Sequence, residues 1–248
     1  MDLDSYHYIA IEGPIGVGKT TLARKLAQRL DVQSVLEQPQ ENPFLEKFYR
    51  DAGRYALQTQ MFFLFQRIQQ LQELAQSDLF NTRFVGDFLL EKDPLFARLT
   101  LADEELKLYE QLYQHLRTHA VQPDLVIYLQ APVDTLIERI RKRGIPMEAS
   151  ISHDYLQRLG DSYSRFFYNY DAAPLLIVNN EHMNMADSDE DFELLLSHIV
   201  EMRGKRAFLN RGEYPWPPIC MTLPQHARKP SPSTRCKPCA TRVTRSPC

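Results

Sequence analysis

Two periods alternate along the chain. Residues 8–11, Tyr-Ile-Ala-Ile, form a continuous apolar and partly β-branched run, the pattern of a strand covered on both faces. Residues 21–30 place Leu22, Leu26 and Leu30 one turn apart, the stripe of an amphipathic helix. The alternation then repeats. Residues 32–36 read as a strand closed by Pro39, residues 42–49 as a short aromatic-rich helix or turn, and residues 55–76 as a long helix. Leu57, Met61, Leu64, Phe65, Ile68 and Leu71 form the apolar side of that helix. Residues 83–87, 124–129 and 175–178 read as three further strands. Between them, a helical stretch starts at Leu95, and a helix over 102–116 has Leu106, Leu108, Tyr109, Leu112 and Tyr113 on its expected buried side. Helices over 132–143, stopped by Gly144, and 152–170 follow. A last helix over 188–203 has Ser188 as cap and three acids in its first turn. Strands alternating with helices predict an α/β fold, a parallel sheet flanked by helices in three layers.

From about residue 212 the periodicity stops. Eight prolines interrupt residues 213–248, and apolar positions scatter. The expected organisation is a folded body over 1–212 and a disordered tail over 213–248. All four cysteines lie in the tail, so neither disulfides nor thiol chemistry is expected in the body. Cys236 and Cys239 form a lone C-x-x-C without a second pair at zinc spacing. The formal net charge of −3 conceals an asymmetry: six basic residues against one acid in the tail leave −8 on residues 1–212. That argues against a general nucleic-acid binder. Apolar runs fall far short of a membrane span and no signal segment precedes Tyr8, so a cytoplasmic protein with no membrane partner is expected.

The chemistry begins between the first strand and the first helix. Gly13-Pro14-Ile15-Gly16-Val17-Gly18-Lys19-Thr20 fits G-x-x-x-x-G-K-[ST], and Thr21 continues into the helix. Strand, glycine loop and helix together cradle phosphate. Backbone N–H groups point into the loop, the helix N-terminus adds positive potential, and Lys19 supplies a cation. The Thr20 hydroxyl is suited to Mg²⁺, with Asp87 at the end of the third strand as an outer contact.

Glu37 ends the second strand. Ligands of open α/β sheets bind at that edge, so Glu37 is placed to act as a general base on a hydroxyl substrate. Gln60 and Arg67 stand two helical turns apart on one face, where an amide can read a base edge and an arginine can brace it. Arg139, Arg141 and Arg143 make the helix over 132–143 a candidate arm over the γ-phosphate. No N-K-x-D segment marks a GTPase, and no apolar strand ending in paired acids marks an ATPase motor. A small phosphotransferase remains.

In its ordered motifs over about residues 6–205 the chain resembles the deoxynucleoside kinases, closest to the bacterial deoxyadenosine/deoxyguanosine kinase-like members. The resemblance implies a P-loop nucleoside-kinase-like fold, ATP and Mg²⁺, a deoxynucleoside acceptor with a purine favoured, and a homodimer. It implies that Glu37 takes the 5′-hydroxyl proton and that Gln60, Arg67 and Asp93 form the base pocket. Tyr49 and Glu148 would meet the 3′-hydroxyl, with Arg139 and Arg143 as lid arginines beside Lys19. Two positions depart from the family pattern. Phe88 and Ile145 stand where arginines are usual, and Lys92 is a cation near the first. A nucleoside-monophosphate kinase related to thymidylate kinase, and a nucleotide-binding regulatory protein without catalysis, are the alternatives.

Overall fold

Burial on both faces of the central strands organises the architecture. A computed structural model describes residues 3–77, 83–117, 121–185 and 187–211. Strand β1 (Tyr8–Glu12) is buried at every position. Ile9 and Ile11 face one apolar cluster while Tyr8 and Ala10 face another. The same division runs along β4 (Leu125–Gln130) and β5 (Leu175–Asn179), as the two-residue period of a strand requires.

The first cluster takes Leu22 and Leu26 of α1 (Lys19–Leu30), Leu136 and Ile140 of α6 (Val133–Arg143), and Phe192, Leu195 and Ile199 of α8 (Asp189–Glu201). The second takes Leu64, Ile68 and Leu71 of α3 (Ala52–Ser77), Leu95 of α4 (Asp93–Thr100), Tyr109 of α5 (Asp103–Leu116), and Tyr163 and Phe167 of α7 (His153–Tyr168). Three layers result. A smaller cluster of Leu45 and Phe48 on α2 (Leu45–Arg50) with Ala56 sits beside the second.

Strands β2 (Gln33–Val35), β3 (Phe84–Gly86) and β6 (Arg206–Leu209) complete a six-stranded sheet of order β2-β3-β1-β4-β5-β6, with every pair parallel. The chain leaves β1 for one side of the sheet and returns past it for the other, so the carboxyl end of β1 opens at the topological switch point.

Three expectations need correction. The sheet has six strands where the pattern predicted five. The unforeseen β6 is a four-residue edge strand with only Leu209 fully buried, too short for alternation to register. Phe65 and Leu108, assigned to buried helix faces, are 51% and 49% exposed. Other boundaries differ from expectation by a few residues, and Ser152 and Ser188 cap α7 and α8 by accepting from the backbone N–H of Tyr155 and Asp191. The expected tail over 213–248, with its C-x-x-C, lies outside the described residues. Among the described residues no helix is long and apolar enough to cross a membrane.

Candidate active site

The loop after β1 wraps back on itself before entering α1. A Cβ on Gly13 would stand 2.4 Å from the Leu129 carbonyl oxygen, so the loop lies against β4 closer than any side chain allows. Gly16 has φ +85°, and a Cβ there would meet the Leu136 carbonyl oxygen at 2.9 Å. Lys19 donates from Nζ to the Gly13 carbonyl at 2.8 Å and the Pro14 carbonyl at 3.3 Å, lying across the loop that would hold phosphate. Burial, and then the neighbouring Lys92 charge, lower the Lys19 pKa from its ordinary value.

The first turn of α1 and the segments that follow β2 and β3 are tied together here. The Thr20 hydroxyl donates to Asp87 Oδ2, and Asp87 Oδ1 accepts from the Glu37 N–H at 2.7 Å. Burial, then the Glu37 charge, raise the Asp87 pKa, so this carboxylate is short of positive charge. A hydroxyl and an electron-rich carboxylate in contact beside a phosphate cradle fit Mg²⁺, an oxygen-seeking cation.

Beyond this junction, Glu37 stands among cations. Its Oε1 accepts from Arg67 Nε at 2.7 Å and pairs with Lys92 Nζ at 2.9 Å, while Arg67 Nη1 pairs with Asp93 Oδ1. Burial by itself would raise the Glu37 pKa. The opposing charges of Arg67, Lys92 and Lys19 outweigh it and hold the carboxyl well below the usual carboxylate range. Gln60 and Arg67 line the same cavity, as their spacing predicted, and Gln60 Nε2 lies 3.4 Å from Thr100 Oγ1. Asp93, expected on the pocket wall, is not among the residues lining that cavity. It is the buried first residue of α4 and reaches the site through Arg67.

The helix α6 and the segment Pro146–Ser150 form the other rim. Arg143 Nη2 pairs with Glu148 Oε2, and Glu148, Tyr49, Met147 and Ile145 line the cavity with it. Burial, then Tyr155 and Glu148, push the Tyr49 phenol up, so it remains a neutral hydroxyl. Arg139 points elsewhere, donating to the Asn180 carbonyl at 2.8 Å and approaching the Val17 carbonyl. It buttresses the phosphate loop against the end of β5. Phe88 is buried in the core, its carbonyl accepting from Tyr8 Oη, so its position supplies no cation.

Two hollows meet at the loop. One, about 630 Å³, runs along residues 16–22 to Arg139, Lys142, residues 180–185 and Asp187. The other, about 200 Å³, is walled by Phe48, Phe63, Phe96 and Tyr155 around Glu37 and Gln60. Gly16, Lys19, Thr20 and Arg143 line both. A phosphate bound on the loop would therefore border the cavity that holds Glu37, with Lys19 and Arg143 as the cations common to both hollows.

Several residues of the site escaped the sequence reading. Phe63 lies between Gln60 and Arg67 at helical spacing, and Phe96 follows Lys92 by four residues, so a face pattern was available for both. Glu12, an acid ending an otherwise apolar strand, was also a signal. Nothing local marks Tyr155 or Asn180.

A phosphate cradle and an amide-and-carboxylate cavity meeting at one lysine define a P-loop phosphotransferase with separate donor and acceptor hollows. The chain belongs to the deoxynucleoside kinase family, whose model matches residues 9–202. It is 34% identical to a deoxyguanosine kinase of Bacillus subtilis over 79% of this chain and 97% of that protein. It is 33% identical to a deoxyadenosine kinase of Dictyostelium discoideum over 79% and 80% of the two chains. A solved deoxyadenosine kinase from M. mycoides, with products dCMP and dCDP bound, superposes with a TM-score of 0.69 at 26% identity, over 79% of this chain and all of that one. The family match supports the nucleoside kinase reading over the monophosphate kinase alternative.

Proposed function

We propose that this kinase transfers the γ-phosphoryl of ATP to the 5′-hydroxyl of a purine deoxynucleoside. The observation that carries the reading is Glu37, set in the acceptor cavity next to the one lysine shared with the donor hollow. Gln60 offers a polar edge to the base between the rings of Phe63 and Phe96, while Tyr49 and Glu148 receive the sugar. The purine preference rests on relatives named deoxyguanosine and deoxyadenosine kinases.

Glu37 accepts the 5′-hydroxyl hydrogen bond and directs the oxygen at the γ-phosphorus. A carboxylate held this low is a weak base, which suffices because phosphoryl transfer passes through a loose transition state in which the proton leaves late. Lys19 and Arg143 bring positive charge to the transferring group, and Arg139 secures the loop. Thr20 and Asp87 would hold Mg²⁺, which would supply positive charge against the donor phosphates.

Homodimerisation is part of the same reading, supported by exposed Phe65 on α3 and Leu108 on α5. So is action in the cytoplasm, where ATP is plentiful, with residues 1–212 carrying the activity and the tail dispensable.

The test is incubation with labelled ATP and each of the four deoxynucleosides. Deoxyadenosine or deoxyguanosine should give the most 5′-monophosphate. Absence of product from all four overturns the activity, and a pyrimidine ranking first overturns the preference.

A further inference from the structure

Lys92 is the most deeply buried cation near the site, 1% exposed, and it stands between two carboxylates. Its Nζ lies 2.9 Å from Glu37 Oε1 and 3.2 Å from Glu12 Oε2. Lys92 ends the short turn Leu90–Lys92 and N-caps α4, so its backbone is held by two elements. Glu12 is completely buried at the end of β1, immediately before the phosphate loop. Its Oε1 accepts from the Gly13 N–H at 2.8 Å and from Tyr163 Oη at 2.9 Å, and its Oε2 accepts from the Leu89 N–H at 2.9 Å. Burial, then the Glu12 charge, drive the Tyr163 pKa far up, so the phenol keeps its proton and keeps donating.

We propose that Lys92, anchored on Glu12, is a positioning residue that clamps Glu37 for phosphoryl transfer. The inference rests on the reading of Glu37 as the group that receives the acceptor hydroxyl.

Four observations separate positioning from simple neutralisation of Glu12. Glu12 already accepts three hydrogen bonds from fixed donors, and Lys92 lies nearer to Glu37 than to Glu12. Lys92 also lines the acceptor cavity, so it faces the reaction and not only the core. Most telling is the choice of atom. Arg67 and Lys92 both grip Glu37 through Oε1, which leaves Oε2 for the acceptor hydroxyl. An ammonium and a guanidinium converging on one oxygen stop rotation of the carboxylate about its last bond. They also keep it ionised against its own burial. The charged groups facing Glu37 are Arg67 from α3, Lys19 from the loop and α1, Lys92, and Asp87 from the end of β3. Tyr49 and Tyr163 face it as neutral phenols.

The strand that ends in the phosphate loop therefore also sets the base. Glu12 joins the two halves of the site: its Oε1 holds the first loop residue, and its Oε2 holds the lysine that holds Glu37.

Lys92→Met keeps the volume and removes the charge. For folded protein, judged by circular dichroism and ATP binding, kcat should drop about 100-fold, the scale of a misplaced reacting group. ATP affinity should stay unchanged. The KM for the nucleoside should stay close to wild type, so that the loss falls on kcat.

Lys92→Met alone leaves Glu12 buried without its cation, so the decisive variant is Glu12→Gln/Lys92→Met, which removes both charges. If this double variant is still slow while it keeps the wild-type ATP affinity and nucleoside KM, the clamp is supported. If it recovers wild-type kcat, Lys92 served only to neutralise Glu12 and the inference is overturned. A Lys92→Met enzyme with wild-type kcat also overturns it, while Glu37→Gln inactivity shows that the Glu37 reading stands. Wild-type activity retained by Glu37→Gln sinks that underlying reading instead.

Discussion

Glu37 concentrates the electrostatics of the site in one side chain. Removing its charge by Glu37→Gln should lower kcat by about 10²- to 10⁴-fold, the usual worth of a positioned proton acceptor, with nucleoside affinity largely kept in direct binding measurements. Its depressed pKa has a definite sign. The folded site prefers the ionised form, so Glu37 contributes stability that is present above its unfolded value of about 4.3 and is lost as pH falls toward the folded value. The kcat/KM profile should therefore show no acid limb from Glu37 between pH 8 and about pH 5, and a limb near pH 6 would contradict the cation clamp. The place of Glu37 at the edge of the sheet was legible from the chain, because the second strand closes at Glu-Gln-Pro beside a glycine loop. Its company was not. Arg67 lies 30 residues away and was read as a base-pocket residue, whereas folding turns its Nε onto Glu37 and only its Nη1 onto Asp93.

Among the elements, the long helix and the central strands announced themselves because their periods extend over several turns or over a fully apolar run. Strands β2 and β3, three residues each, fall inside the segments 32–36 and 83–87 that were read as strands, whereas the four-residue β6 is too short for a two-residue period to be distinguished. They exist because a parallel neighbour supplies their hydrogen bonds. The caps were clearer. Ser188 was chosen for its residue type and the three acids behind it, and its hydroxyl accepts from Asp191 N–H at 3.2 Å. Ser188→Ala should cost about 1 kcal/mol in urea unfolding, with activity unchanged at temperatures where the variant is folded. A loss well below that would mean that the first-turn acids hold the helix start without the hydroxyl. Helix α6 carries the opposite lesson. Its arginines were read as one lid set, but one helical turn separates Arg139, turned onto the Val17 and Asn180 carbonyls, from Arg143, turned onto Glu148.

At the scale of the whole molecule, Phe65 and Leu108 are among the large apolar side chains of the described residues that remain open to water, and they lie on adjacent helices of the second layer. Phe65 and Leu108 were counted as core because their helices are amphipathic, and a helix with two apolar faces cannot reveal which one the monomer uses. Phe65→Glu/Leu108→Glu should convert a dimer into a monomer in light scattering, and a wild-type chain already monomeric at the same concentration would remove the dimer from the proposal. The α/β class, the phosphate loop and the acid at the edge of β2 were all readable in one dimension. Each depends on residues near one another in the chain: a period, a spacing of eight, a proline after an acid. The clamp of Lys92 between Glu12 and Glu37, the bracing of Arg139 and the meeting of two hollows at Lys19 were decided by folding alone. Charges pair across space according to which strand lies beside which, and Glu12 and Lys92 stand 80 residues apart with no local pattern to link them.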